Sequence, residues 1–186
     1  MYGLVNKALK SMVLNHHGEA IWQQILAQAQ LENPVFIGTE SYPDSITYQL
    51  VGITSEQLQK PLPELLEAFG YFWATHTAVV EYPDLMARGG STLKEFLRNL
   101  PNFHTHVTLM LPRLEPPDFV FEETDAENVL MHYHSNREGL APFAYGIFKG
   151  LGKVFEETVE VTQVASKAGG APHDIFKVTW LQTPAT

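Results

Sequence analysis

Apolar residues recur at helical spacing in the first part of the chain: Leu4, Ala8 and Val13, then Ile21, Trp22, Ile25 and Ala29. This predicts helices. Turn formers follow, Glu32-Asn33-Pro34 and then Tyr42-Pro43-Asp44, and predict a loop. A further helical stretch is expected over 55–76, opened by Ser55 and punctuated by Pro61 and Pro63 before Leu65, Leu66, Phe69 and Phe72. The Gly89-Gly90 pair breaks the chain, and Thr92 with Glu95 forms a capping box for the next helix. Pro101 is expected to interrupt that helix. It then resumes over 102–111, because proline is accepted in a first turn, and Pro112, Pro116 and Pro117 end it.

The pattern then changes. Residues 119–121 and 129–133 read as strands around a polar turn, 124–128. A strongly apolar helix is expected over 140–155, carrying Gly146, Gly150 and Gly152 at positions that permit close packing. Two more strands, 158–165 and 174–181, are joined by a turn at Gly169-Gly170. Helices first and antiparallel strands later predict an α+β fold. No internal repeat or low-complexity tract is present, and 186 residues suit a single domain, 1–186.

Composition narrows the function. The chain is 45% hydrophobic and 11% aromatic, enough for a core and for lining an internal pocket. Its net charge of −9 and the lack of a basic stripe speak against nucleic acid or an anionic membrane surface as partner. With no cysteine, disulfides, thiolate metal sites and cysteine nucleophiles are excluded. No apolar run approaches the roughly 20 residues of a membrane helix, and the N-terminus lacks a signal-peptide layout. A cytoplasmic location is expected.

Two constellations could carry chemistry. His104 and His106 lie in an apolar helical segment after the Pro101 break, where a side chain can be aimed into a cavity. Residues two apart face different sides of a helix, so only one of the two can serve a given ligand. Periodicity does not choose between them. The second is Tyr133-His-Ser-Asn-Arg137. Along an extended strand Tyr133, Ser135 and Arg137 share a face, which puts two hydroxyls and a guanidinium together, a set suited to clamping a carboxylate or phosphate. The alternative is an exposed polar strand edge. No nucleophile elbow or P-loop accompanies the serines and glycines, and no histidine pair has helical metal-site spacing with a nearby acid.

The chain resembles the haem nitric oxide/oxygen binding (H-NOX) family, related to the haem domain of soluble guanylate cyclase. The likeness runs through Met1-Tyr-Gly-Leu-Val-Asn-Lys, Ala68-Phe-Gly-Tyr-Phe-Trp73, Phe103-His104, Pro112-Arg-Leu-Glu-Pro-Pro117, Tyr133-His-Ser-Asn-Arg-Glu-Gly-Leu140, Val159-Glu-Val-Thr-Gln and His173-Asp-Ile-Phe. Tyr-x-Ser-x-Arg is its most specific mark, and the wording is most similar to cyanobacterial members.

The resemblance implies a helical part over about 1–65 and a haem-binding part over about 66–186. It also implies a C-terminal helix packed with a four-stranded antiparallel sheet, and haem b (iron protoporphyrin IX) buried between the two parts. His104 matches the proximal iron ligand, and Tyr133, Ser135 and Arg137 match the clamp on the haem propionates. Pro117 matches the proline that distorts the porphyrin, and Trp73 matches a distal aromatic. Leu140 and Phe143 are expected near the gas, with Met1, Leu4 and Val5 walling the pocket.

Family members that bind oxygen use a distal tyrosine five residues after the motif arginine. Here that position is Pro142. The resemblance therefore implies a sensor for nitric oxide and carbon monoxide, with release of His104 from iron as the signal. Tyr145 and the Trp73 indole are the donors that would reverse this. An oxygen-binding haem sensor, or a haem enzyme such as a peroxidase, is the alternative. The chain ends shortly after its last expected strand, so output is expected through a separate partner, such as a histidine kinase or a cyclic-dinucleotide enzyme.

Overall fold

The structure is a computed structural model that describes residues 1–32, 34–110 and 113–181. The expected turn at Asn33 and helix end at Leu111 and Pro112 lie outside the described residues.

The chain begins with α1 (Gly3–Gln28), whose regular geometry is broken at Gly18 by φ 79° and ψ 174°. Glycine takes that left-handed φ without a Cβ clash, so the two predicted apolar runs are two helical arms that meet at Gly18. His16 and His17 are exposed just before it.

Helix α2 (Asp44–Gln57) was not foreseen. It starts where a turn was expected and contains Ser55, the residue expected to open the next helix. Pro43 precedes it with extended φ and ψ, and Asp44 puts a carboxylate in the first turn, where the helix dipole favours it. Helix α3 (Leu62–Phe72) then begins with Pro63 in its first turn and runs into a π-helical turn over Trp73–Ala78. Two short helices follow, α4 (Val79–Glu81) and α5 (Pro83–Gly89).

Helix α6 (Leu93–Met110) is continuous through Pro101, contrary to the expected interruption. A proline inside a helix removes one backbone donor, and packing on the flanking turns outweighs that loss. Leu97, Leu100 and Phe96 are buried before it. The capping box forms in altered shape. The Thr92 hydroxyl accepts the Glu95 N–H at 3.2 Å, while the Glu95 carboxylate reaches past Thr92 to the Ser91 N–H at 2.9 Å.

The strands β1 (Asp118–Glu123), β2 (Asn128–His134), β3 (Val159–Ala165) and β4 (Asp174–Trp180) form one antiparallel sheet in the order β1-β2-β4-β3. Helix α7 (Ala141–Val154) lies between β2 and β3 in sequence. Alternation governs the sheet: Val129, Met131 and Tyr133 of β2 are buried, while His134 faces solvent. The expected α+β fold, helices with a four-stranded antiparallel sheet, is present.

Two apolar cores result. The first joins α1, α2 and α3 around Leu9, Trp22, Ile25, Leu50 and Leu65. The second joins α6, α7 and the sheet around Phe96, Leu97, Met131, Phe148 and Phe176. Helix α7 serves both, because Phe143 packs with the first core and Phe148 with the second. It crosses α3 backbone to backbone. A Cβ on Gly70 would lie 2.0 Å from the Phe143 carbonyl oxygen, and one on Gly146 would lie 2.0 Å from that of Glu67. No helix among the described residues is long and apolar enough to cross a membrane.

Candidate functional site

Helix α6 presents His104 toward the start of β1. The ring lies 5.5 Å from Phe119, centroid to centroid, and Phe119 lies 5.4 Å from Tyr133. Beside His104 is a cavity of about 290 Å³, lined also by Pro101, Thr105, Thr108, Pro117 and Asp118. His104 Nδ1 is sealed from solvent and has no hydrogen-bond partner. A buried polar atom left in that state is uncommon and calls for a ligand or a cost. Burial pushes the imidazole pKa down to about 4, although the Pro117 carbonyl and the Asp118 carboxylate favour the charged form. The ring is therefore neutral at pH 7, the form in which an imidazole lone pair can bind a metal. His106 is exposed, and its Nδ1 lies 2.8 Å from the Asn102 carbonyl one turn back. This separates two histidines that periodicity left equivalent.

On the other side of α7, Trp73 meets Phe143 edge to face at 6.0 Å, and Phe143 lies 5.0 Å from Phe69. Val5 and Leu140 pack against the same core. Trp73 is the first residue of the π-helical turn, an irregularity that recurs at functional sites. Tyr145 points elsewhere: its ring faces Phe176 at 6.3 Å and carries the Lys149 ammonium 5.4 Å from its centroid. Leu4 stands apart from this aromatic group. It is buried, with its N–H donating to the Gly38 carbonyl at 3.2 Å.

The predicted trio is assembled differently from the expectation. Strand β2 ends at His134, and the Arg137 N–H donates to the Ser135 hydroxyl at 3.0 Å. That turn ends the extended geometry, so Arg137 does not continue the strand face. The short hydroxyl competes with the sheet ladder for a backbone donor. Tyr133 is buried, and burial raises its pKa although a hydrogen bond with Ser135 opposes the shift. Arg137 donates through Nε to Asp44 Oδ2 at 2.7 Å and through NH1 to the Glu115 carbonyl at 2.6 Å. Asp44 also pairs with the Met1 amino group. Asp44 thus joins Met1 to Arg137.

The candidates fall into three groups: His104 with Pro117 and, beside Phe119, Tyr133; Trp73 with Phe143, Leu140 and Val5; and Met1 and Arg137 on Asp44, with Ser135 between Tyr133 and Arg137. Sequence reading missed Asp44, Asp118 and Tyr2, whose hydroxyl accepts the Arg113 N–H at 2.8 Å and ties α1 to the segment before β1. A helix start at Pro43-Asp44 was a readable signal, since proline followed by an acidic first turn marks an N-terminus. A wider open groove of about 690 Å³ between Asn15, Lys60, Tyr71 and Lys149 holds none of the candidates.

The chain is similar to known proteins in sequence and fold. The chain is 28% identical over 157 residues to soluble guanylate cyclase gcy-34 of Caenorhabditis elegans, covering 83% of this chain and 23% of that protein. It is 27% identical over 120 residues to guanylate cyclase soluble subunit beta-2 of Rattus norvegicus, covering 61% of this chain and 18% of that protein. The chain thus spans about a quarter or less of the length of these relatives. Among solved structures, the H-NOX protein of S. oneidensis in its Fe(II)NO ligation state superposes with a TM-score of 0.89 at 19% identity, covering 98% of this chain and 100% of that one. The unliganded Fe(II) H-NOX protein of K. algicida gives 0.85 at 23% identity, covering 100% of both chains. The family model described as haem-NO-binding matches residues 2–163, and the chain belongs to that family.

Proposed function

We propose that the chain is a haem-based gas sensor, with His104 as the iron ligand and nitric oxide and carbon monoxide as its gases. The observation that carries this reading is His104 itself, neutral and buried with an unpaired ring nitrogen beside a cavity. The residues fit a haem: a neutral imidazole for the iron, a hydroxyl pair and guanidinium for carboxylates, and aromatic surface for a flat ring. Bound iron protoporphyrin would supply an open sixth position for a diatomic gas.

The chain's own residues then divide the work. His104 anchors from α6, and Pro117 sits against it on the segment leading into β1. Tyr133, Ser135 and Arg137 hold propionates, for which Arg137 must share or leave Asp44. Trp73, Phe143, Leu140 and Val5 keep the gas side apolar, with Met1 near Arg137 and Leu4 backing the wall of α1. Apart from the indole N–H of Trp73, whose ring packs edge to face on Phe143, this wall offers no hydrogen bond to a bound oxygen, which needs a donor. Tyr145 faces the sheet, which weighs against the oxygen-binding alternative. A peroxidase needs a distal acid–base pair, and these side chains contain none.

Signalling follows as a population shift: a His104 attached in one state and free in the other gives the affinity difference that such a shift requires. Output passes to a partner such as a histidine kinase or a cyclic-dinucleotide enzyme, in the cytoplasm. In the test, the ferrous protein is titrated with nitric oxide and then, separately, exposed to air while the Soret band is followed. A shift to a five-coordinate spectrum with nitric oxide and no stable oxygen complex is expected. A six-coordinate spectrum at every nitric oxide level would overturn release of His104, and a stable oxygen complex would overturn the gas preference.

A further inference from the structure

The outer face of the sheet carries a histidine cluster that the gas site does not use. His132 and His134 point outward from β2 on either side of buried Tyr133, and His173 lies just before β4, which pairs with β2. His132 Nδ1 is 2.9 Å from His173 Nε2, and the His134 and His173 rings lie 4.1 Å apart between centroids. On the far side, His132 Nε2 is 2.9 Å from Glu122 Oε2 of β1.

For neutral rings these contacts select one pair of tautomers. A carboxylate only accepts, so His132 Nε2 carries the proton it donates to Glu122. Nδ1 of His132 is then a bare lone pair facing His173, whose Nε2–H donates to it. An imidazole whose far nitrogen is held by a carboxylate is the usual arrangement of a metal-ligating histidine, since the carboxylate fixes the ring and raises its basicity. Asp174, the next charged group, is already engaged by other donors. It is buried, and its Oδ1 already accepts from Gln163 Nε2 at 2.8 Å and from the Lys167 N–H at 2.9 Å.

We propose that His132 and His173, with His134 swinging in as a third donor, bind a divalent transition-metal ion on the back of the clamp strand, copper(II) foremost. Among the described residues no three such side chains already converge on a point, so the ion gathers them. The 2.9 Å between His132 Nδ1 and His173 Nε2 is a hydrogen-bond contact, and nitrogens each about 2.0–2.1 Å from a shared ion stand about as close, so the rings must turn toward the ion but need not travel to it. Imidazole ligands suit copper, nickel and zinc, and copper(II) stands highest in the general affinity order. His173 ligates through Nε2 once its proton has moved to Nδ1 through solvent, so no net proton is lost.

The test is a calorimetric titration of the protein with copper(II) chloride in a non-coordinating buffer, paired with electron paramagnetic resonance of the one-to-one sample. One tightly bound ion per chain is expected, with splitting from at least two imidazole nitrogens. His132→Ala and His173→Ala should each weaken binding tenfold or more, and Glu122→Gln about tenfold by freeing the ring. His132→Gln, which keeps a polar side chain, should lose binding with an unchanged melting temperature, separating ligation from folding. His104→Gly should leave the copper stoichiometry intact. Unchanged affinity in the His132→Ala/His173→Ala double variant would overturn the proposal, as would loss of binding only on replacing the exposed His16-His17 pair.

Discussion

The two cores differ in how they end. The first, under α1, α2 and α3, closes on itself: Trp73, Phe69 and Phe143 fill its margin with edge-to-face and tilted ring contacts. The second, between α6, α7 and the sheet, ends at His104, a polar ring whose Nδ1 is buried without a partner. The closed margin contributes shape and dryness. The open one contributes a ring nitrogen without a partner, and the first side can act on chemistry there by what it excludes.

Removing the open end should have the largest effect. His104→Gly is expected to abolish the haem Soret band of the purified protein, and added imidazole should restore it. Retention of full colour without imidazole would erase the contrast between the two margins. Next in size is the seam. Gly146→Val must displace the Glu67 carbonyl, 2.0 Å from where a Cβ would lie. A loss of about 3 kcal/mol or more is expected in chemical denaturation, at the upper end for overpacking because backbone cannot repack.

Acid gives a smaller effect confined to the second core. The folded pKa of His104 is about 4 and an unfolded histidine titrates near 6.5, so between these values the unfolded chain binds the proton that the folded chain refuses. Stability of the haem-free protein should therefore fall as pH drops through that window, by at most about 1.4 kcal/mol per pH unit. His104→Leu should flatten the profile. A slope unchanged in His104→Leu would show that other groups set it. The smallest effect is Gly52→Ala in the first core. This glycine lies inside α2 with no heavy atom within 4 Å of the added Cβ. A gain of about 0.5–1 kcal/mol is expected from helix propensity and a less flexible unfolded chain.

Much of this was legible in the residues. The sheet could be read because alternation at Val129, Met131 and Tyr133 is a local pattern with one period. The α2 helix showed only at its Pro43-Asp44 start, because Thr47 and Thr54 are polar residues buried along it and spoil the apolar rhythm. The Thr47 hydroxyl donates to Asn6 Oδ1 at 2.7 Å, a pairing across 41 positions that no local pattern records. The same holds at the site. His104 stood out by its apolar surroundings, but its difference from His106 depends on Phe119 and Pro117 arriving from another element. Asp44 sits 93 positions from Arg137, and only the fold brings them to 2.7 Å. The trio lies close together in the fold, yet its expected extended geometry fails at one turn, where the Ser135 hydroxyl accepts the Arg137 N–H.

The glycine seam between α3 and α7 has a mechanical meaning. Two backbones in direct contact at Gly70 and Gly146 interlock like the teeth of a zip, and sliding along either axis would drive a carbonyl into a neighbouring Cα. A further close approach, where a Cβ on Gly150 would lie 3.0 Å from the Tyr71 carbonyl oxygen, extends the lock along α7. A displacement that begins in one core should therefore reach the other through α3 and α7 moving as one piece.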